Sequence, residues 1–132
     1  MSLNYQCPHC KGYTALNDCL IFAVKTQDSK MGLISLHPEI GNYAVNINPE
    51  FSYKEGEELE FFCPICHAPL ASDVHKKLAR IIMIDEKDNK FEILFSQTAG
   101  EKSTYKIIGE TMEIYGDDSA EYLDFINLSL NF

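Results

Sequence analysis

Two short stretches, Cys7-Pro8-His9-Cys10 and Cys63-Pro64-Ile65-Cys66, constrain this chain more than any other feature. A CPxC unit turns the backbone so that two sulfurs lie on one side, with proline fixing one backbone angle. Zinc takes four thiolate or imidazole ligands in a tetrahedron, at roughly 2.3 Å from each sulfur. Two CPxC turns facing each other complete that shell. The residues therefore point to one structural Zn²⁺ held by Cys7, Cys10, Cys63 and Cys66. Residues 11 to 62 separate the pairs, a longer interval than the usual roughly 15 to 20. Loop-closure entropy grows only logarithmically, so a threefold longer loop costs about 1 kcal/mol more. Structural zinc binding is worth on the order of 10–16 kcal/mol, so the interval does not decide against a shared site. A variant in which each pair supplies half of a site between two subunits stays open.

The fifth cysteine, Cys19, lies among Leu16, Leu20 and Ile21 and reads as a small buried hydrophobe. His9 lies inside the first pair and His67 just after the second, and both read as solvent-facing or hydrogen-bonded to the turn backbone, since four thiols already fill the shell. A closed shell leaves no position for water, whereas catalytic zinc keeps one open. No HExxH, nucleophile elbow or phosphate-cradling glycine motif is present. No catalytic residue is assigned and the expectation is a non-enzyme. Cys7-Pro8-His9-Cys10 also resembles the active-site motif of periplasmic disulfide oxidoreductases. That motif opens a helix whose dipole lowers the first thiol's pKa. Lys11-Gly12-Tyr13-Thr14 is no helix start, so thiol–disulfide exchange ranks as a lesser alternative.

At 132 residues the chain is about one domain in length and can build one modest core. Hydrophobic residues make up 45% and charged residues 23%, which excludes wholesale disorder. A net charge of −9 argues against a dedicated nucleic-acid binder. The acidic excess is local, however, because residues 1 to 54 are neutral and residues 91 to 132 carry most of it. The basic residues Lys76, Lys77, Arg80, Lys87 and Lys90 are interleaved with acids. A nucleic-acid-binding zinc ribbon is therefore the first alternative, and a protein partner the leading expectation. Met1 to Cys7 has no secretory leader pattern. The longest apolar run, Ile81 to Ile84, is far short of the ~20 residues of a membrane span. The expectation is a cytoplasmic protein without a membrane segment, in a compartment where paired cysteines read first as metal ligands.

Elsewhere the chain alternates in β fashion. Leu20 to Val24 and Gly32 to Leu36 read as strands joined by Thr26 to Lys30, and Tyr43 to Ile47 as another. Residues 73 to 79 could form one or two helical turns capped by Ser72. Arg80 to Ile84 and Phe91 to Phe95 read as a hairpin, with Phe91, Ile93 and Phe95 on one face. Gly109-Glu110 between Thr104 to Ile108 and Thr111 to Tyr115 fits a type II′ turn. Helical spacing of Leu123, Ile126 and Leu130 predicts a helix within Asp118 to Phe132. The fold class is mainly β (β-rich α+β), a single domain over residues 1–132. Its zinc-ribbon-like paired knuckles fall in 1–19 plus 57–72, with a β insertion over 20–56. Further hairpins and the C-terminal helix occupy 73–132.

Four features together resemble a bacterial family named for its CPXC motif: Cys7-Pro8-His9-Cys10, Asn46-Ile47-Asn48-Pro49-Glu50, Phe62-Cys63-Pro64-Ile65-Cys66, and Leu78 to Asp85 followed by Phe91. A glycine commonly follows the second motif in that family, where this chain has His67-Ala68. The likeness spans residues 7 to about 95 and leaves 96 to 132 uncovered. It implies metal binding and no particular activity.

Overall fold

The computed structural model describes residues 3–123 and residue 126. In chain order its strands are β1 (Asn4–Gln6), β2 (Ala15–Leu16), β3 (Cys19–Lys25), β4 (Met31–Leu36), β5 (Val45–Ile47), β6 (Glu60–Phe62), β7 (Leu78–Ile84), β8 (Lys90–Ser96), β9 (Thr104–Ile108) and β10 (Thr111–Tyr115). Every pairing is antiparallel. One sheet runs β1-β7-β8-β9-β10; the other runs β2-β3-β4-β5, with β6 also on β3. The mainly β expectation holds in this form.

Turn chemistry sets the register of the two long hairpins. Between β3 and β4, the Thr26 amide donates to the Lys30 carbonyl, and the Lys30 amide donates to Thr26 Oγ1. Between β7 and β8, the Asp85 amide donates to the Asn89 carbonyl, and the Asn89 amide donates to Asp85 Oδ1. Both turns place their fourth residue in the left-handed region, Ser29 at φ 64° and Asp88 at φ 62°. Small polar residues tolerate that region and hydrogen-bond their own backbone, which is why neither turn needs glycine. At the β9–β10 turn Gly109 takes φ 57° while Glu110 does not go positive, the type II′ pattern.

The same match extends through both halves of the chain. Gln6 bridges Tyr13 as Phe62 bridges Pro69, and Ala15 pairs with Leu20 as Ala71 bridges Ala79. Leu36 pairs with Val45 as Phe95 pairs with Thr104. Gly41 and Gly100 take matching positive φ values of 93° and 83°. The first strands are exchanged between halves: β1 lies on β7, with Gln6 opposite Ile82, and β6 lies on β3, with Phe62 opposite Ala23. Outside the CPxC units the matched residues are identical at few places, Leu3/Leu59, Ala15/Ala71, Ile34/Ile93 and Gly41/Gly100. The repeat is carried by hydrogen-bonding pattern and inward apolar positions, so no sequence repeat is visible beyond the cysteine pairs.

The inner faces of the two sheets bury one apolar cluster. Leu20, Phe22, Val24 and Ile34 come from one sheet, and Ile81, Met83 and Ile93 from the other. Phe22, Phe61 and Phe95 meet at its centre, with ring centroids 5.3 to 5.5 Å apart. Phe91, Ile93 and Phe95 all contribute to this cluster, as their shared strand face predicts. A second cluster on the outer face of the β7–β8–β9 sheet gathers Leu78, Leu94, Tyr105 and Ile107 under Tyr122 and Ile126.

Two helical expectations are corrected. Residues 73 to 77 form bends and turns, and Leu78 already begins β7. Ser72 does cap, but its Oγ accepts from the Val74 amide within a turn, while its own amide donates to the Leu78 carbonyl. Pairing with β8 claims the backbone that a helix would have used. Of the span Asp118 to Phe132, the start is a 3-10 turn at Ser119–Tyr122 with no side-chain cap from Asp118. The helix predicted over Leu123, Ile126 and Leu130 is not seen as an element, most of its residues lying outside the described ones. Tyr105 donates its hydroxyl to the Ser119 carbonyl, anchoring that turn on β9.

The central aromatic contact yields a stability prediction. Phe22→Ala, at a fully buried position, lowers the unfolding free energy by about 3–5 kcal/mol in urea denaturation. Leu33→Ala, at a 59% exposed position, changes it by less than about 0.5 kcal/mol.

Candidate metal centre

Each CPxC unit is the tip of a two-stranded hairpin, and the two tips are built alike. The Cys7 amide donates to the Gly12 carbonyl and the Lys11 amide to the Cys7 carbonyl, both at 3.0 Å. The Cys63 amide donates to the Ala68 carbonyl at 3.1 Å, and the His67 amide to the Cys63 carbonyl at 3.0 Å. Lys11 and His67 take φ 63° and 65°, so the tight return relies on left-handed residues that are not glycine. Behind each tip the strands continue the ladder, the Thr14 amide donating to the Tyr5 carbonyl and the Leu70 amide to the Phe61 carbonyl.

The tips meet because β3 and β7 each bind strands from both hairpins. Along one edge of β3, β2 pairs with Leu20 and Cys19, and β6 pairs with Ala23 to Lys25. Phe62, the last residue of β6, therefore delivers Cys63 beside the start of β2, next to the first tip. On β7, β1 pairs with Ile82 to Ile84 while Ala71 bridges Ala79. All four expected ligands are brought together, their sulfurs within 4.8 Å of one another.

Sulfur spacing then limits what the cluster can hold. Cys7 Sγ lies 3.8 Å from Cys66 Sγ, and Cys10 Sγ lies 3.8 Å from Cys63 Sγ. A disulfide needs about 2.05 Å, so these are not bonded pairs. A tetrahedron with roughly 2.3 Å metal–sulfur bonds has an edge of about 3.8 Å, which the cross-hairpin distances match. Cys7 and Cys63 are buried at the core end of the cluster, and Cys10 and Cys66 are exposed. Backbone amides point at the sulfurs: His9 and Cys10 donate to Cys7 Sγ, Ile65 and Cys66 to Cys63 Sγ, and Gly12 to Cys10 Sγ. Such donors stabilise thiolates over thiols.

Without a cation these thiols share too much negative charge to ionise together. Burial pushes the Cys7 thiol up to about 12, against the opposing amides of Cys10 and His9. Burial acts in the same direction on Cys63, but the amides of Cys66 and Ile65 and the neighbouring thiols outweigh it and bring Cys63 down to about 7. Cys63 gives up its proton readily, whereas Cys7 calls for a divalent cation to give up its own.

Among the other sequence candidates, His9 and His67 are exposed and outside the sulfur cluster. Cys19 is half-buried rather than buried, on β3 opposite Leu16. Sequence reasoning missed the interlock between the tips. An added Cβ on Gly12 would sit 2.7 Å from Ile65 Cδ1 and 3.2 Å from Cys10 Sγ, so the second tip packs over the first where a side chain is missing. The Lys-Gly pair after the first motif was the available signal. No family profile, curated protein or solved structure matches this chain.

The interlock is testable. Gly12→Val forces Ile65 aside and loosens the cluster, weakening zinc retention about tenfold in chelator competition, the scale of an overpacked contact. Trimming the neighbour in the double variant with Ile65→Ala restores most of it. Unchanged retention in the single variant would contradict the interlock.

Proposed function

We propose that Cys7, Cys10, Cys63 and Cys66 hold one Zn²⁺ as a structural ion, that the two hairpin tips act as zinc-ribbon-like knuckles, and that the protein works by binding a protein partner without catalysing a reaction. The observation that carries the metal reading is the pair of 3.8 Å cross-hairpin sulfur distances. Four thiolates form a donor set suited to zinc and leave no position for substrate water. When bound, the ion supplies charge neutralisation and a cross-link between the two hairpins. The chain's own contribution is to orient the sulfurs through β3 and β7 and to stabilise thiolate character with backbone amides. The partner reading rests on apolar side chains left exposed on these hairpins, Tyr13, Leu16 and Ile65. Thiol–disulfide exchange is disfavoured because Cys7 sits in a hairpin turn, with no helix N-terminus to lower its pKa.

Metal analysis of purified full-length protein is expected to give one zinc per chain. Native thiol titration then reads at most one reactive cysteine, Cys19, and all five after zinc removal by a strong chelator. Chelation also lowers the melting temperature and broadens the transition. Metal-free protein with unchanged melting would overturn the reading.

Acid is expected to release the metal. Binding displaces a full proton from Cys7 at neutral pH, and about half of one from Cys63, given their metal-free values near 12 and 7. Below pH 7 Cys63 is protonated as well, so proton competition steepens and zinc affinity falls; above pH 7 affinity rises. A zinc-responsive dye followed from about pH 8 to about pH 5 measures this. A flat response would contradict thiolate ligation.

A further inference from the structure

Away from the metal centre the two sheets part around a cavity of about 150 Å³. Its body is lined by matched residues of the two halves, Ile34 with Ile93, Leu36 with Phe95, and Tyr5 with Phe61. The matching loops at its mouth are residues 37–43 and 96–102. Tyr5 donates its hydroxyl to the Pro38 carbonyl, which ties the first loop to β1 and satisfies that donor.

Polarity breaks the match beside β5 and β9. Where the first half has Ala44-Val45, the second has Ser103-Thr104. Thr104 Oγ1 and the Tyr43 hydroxyl lie 2.9 Å apart. One of these hydroxyls donates to the other, and the acceptor keeps its own proton free to donate. Thr104 is 7% exposed and stands opposite Phe95, on the sheet face that lines the same cavity. A ligand bearing a hydrogen-bonding group would take up the free proton of the pair. The charged side chains at the rim are Glu39 and Glu101 against Lys102, which disfavours an anion.

We infer that this cavity binds a small neutral molecule with an apolar body about the size of a benzene ring and one hydroxyl or carbonyl group, held at the Thr104–Tyr43 end. An apolar protein cavity of about 150 Å³ accommodates benzene or xenon. The site is separate from the four cysteines and does not rest on the metal reading.

The test titrates the protein as purified with benzene and with phenol, followed by amide chemical shifts. Both probes are expected to perturb residues in 37–43 and 96–104 with saturable binding. The double variant Tyr43→Phe with Thr104→Val is expected to weaken phenol about three- to tenfold, the range of one net hydrogen bond, and to leave benzene unchanged. Leu36→Trp, at a half-buried lining position, fills the cavity and abolishes both while the remaining spectrum stays native. No saturable shift with benzene would overturn the inference. So would perturbation that survives Leu36→Trp, and so would phenol affinity that ignores the Tyr43→Phe, Thr104→Val double variant.

Discussion

The exchange of first strands between the two halves of the chain is the constraint on which the rest depends. If β1 lay on β3 and β6 on β7, each hairpin would stay with its own half. Instead β1 pairs with β7 and β6 with β3, so each sheet incorporates a strand from the other half. The two CPxC tips are thereby drawn to one place, although residues 11 to 62 separate them in sequence. The logarithmic growth of loop entropy makes that separation inexpensive. Backbone pairing along β3 and β7 then fixes the geometry that a free loop would leave undetermined.

This arrangement links the core to the sulfur cluster. Cys7 and Cys63 belong to the same buried cluster as Phe22, Phe61 and Ile81, while Cys10 and Cys66 face out. A cation on the four sulfurs would cross-link the exchanged strands at the point where each half depends on the other. Burial that raises Cys7 and amides that lower Cys63 act on neighbouring thiols in one cluster. Such a cluster is poorly suited to ionise fully by itself and well suited to do so around a metal.

The sequence made some of this legible and concealed the rest for physical reasons. Four ligands could be named because CPxC is a local device whose spacing alone orients two sulfurs. The long hairpins were legible too, since Leu20, Phe22 and Val24, or Ile81 and Met83, alternate with half-buried neighbours and Thr26 or Asp85 marks the turn. The structural repeat was not legible, because its matched core positions exchange Phe22 for Ile81 and Val24 for Met83, conserving burial but not identity. Residues 73 to 79 read as helical from Ser72 and the charged run after it; a long-range pairing of Leu78 with Ser96 overrode that local preference. The cavity needed three dimensions, since Tyr43 and Thr104 come together only when β5 and β9 start at matching places on the two sheets.

One spectroscopic measurement bears most directly on the central claim that a single metal joins the exchanged hairpins. X-ray absorption at the zinc edge of the purified, zinc-loaded protein reports the identity and number of ligand atoms. Cys7, Cys10, Cys63 and Cys66 acting together predict four sulfurs at about 2.3 Å and no nitrogen or oxygen in the shell. A shell of two sulfurs completed by nitrogen or oxygen would contradict the claim.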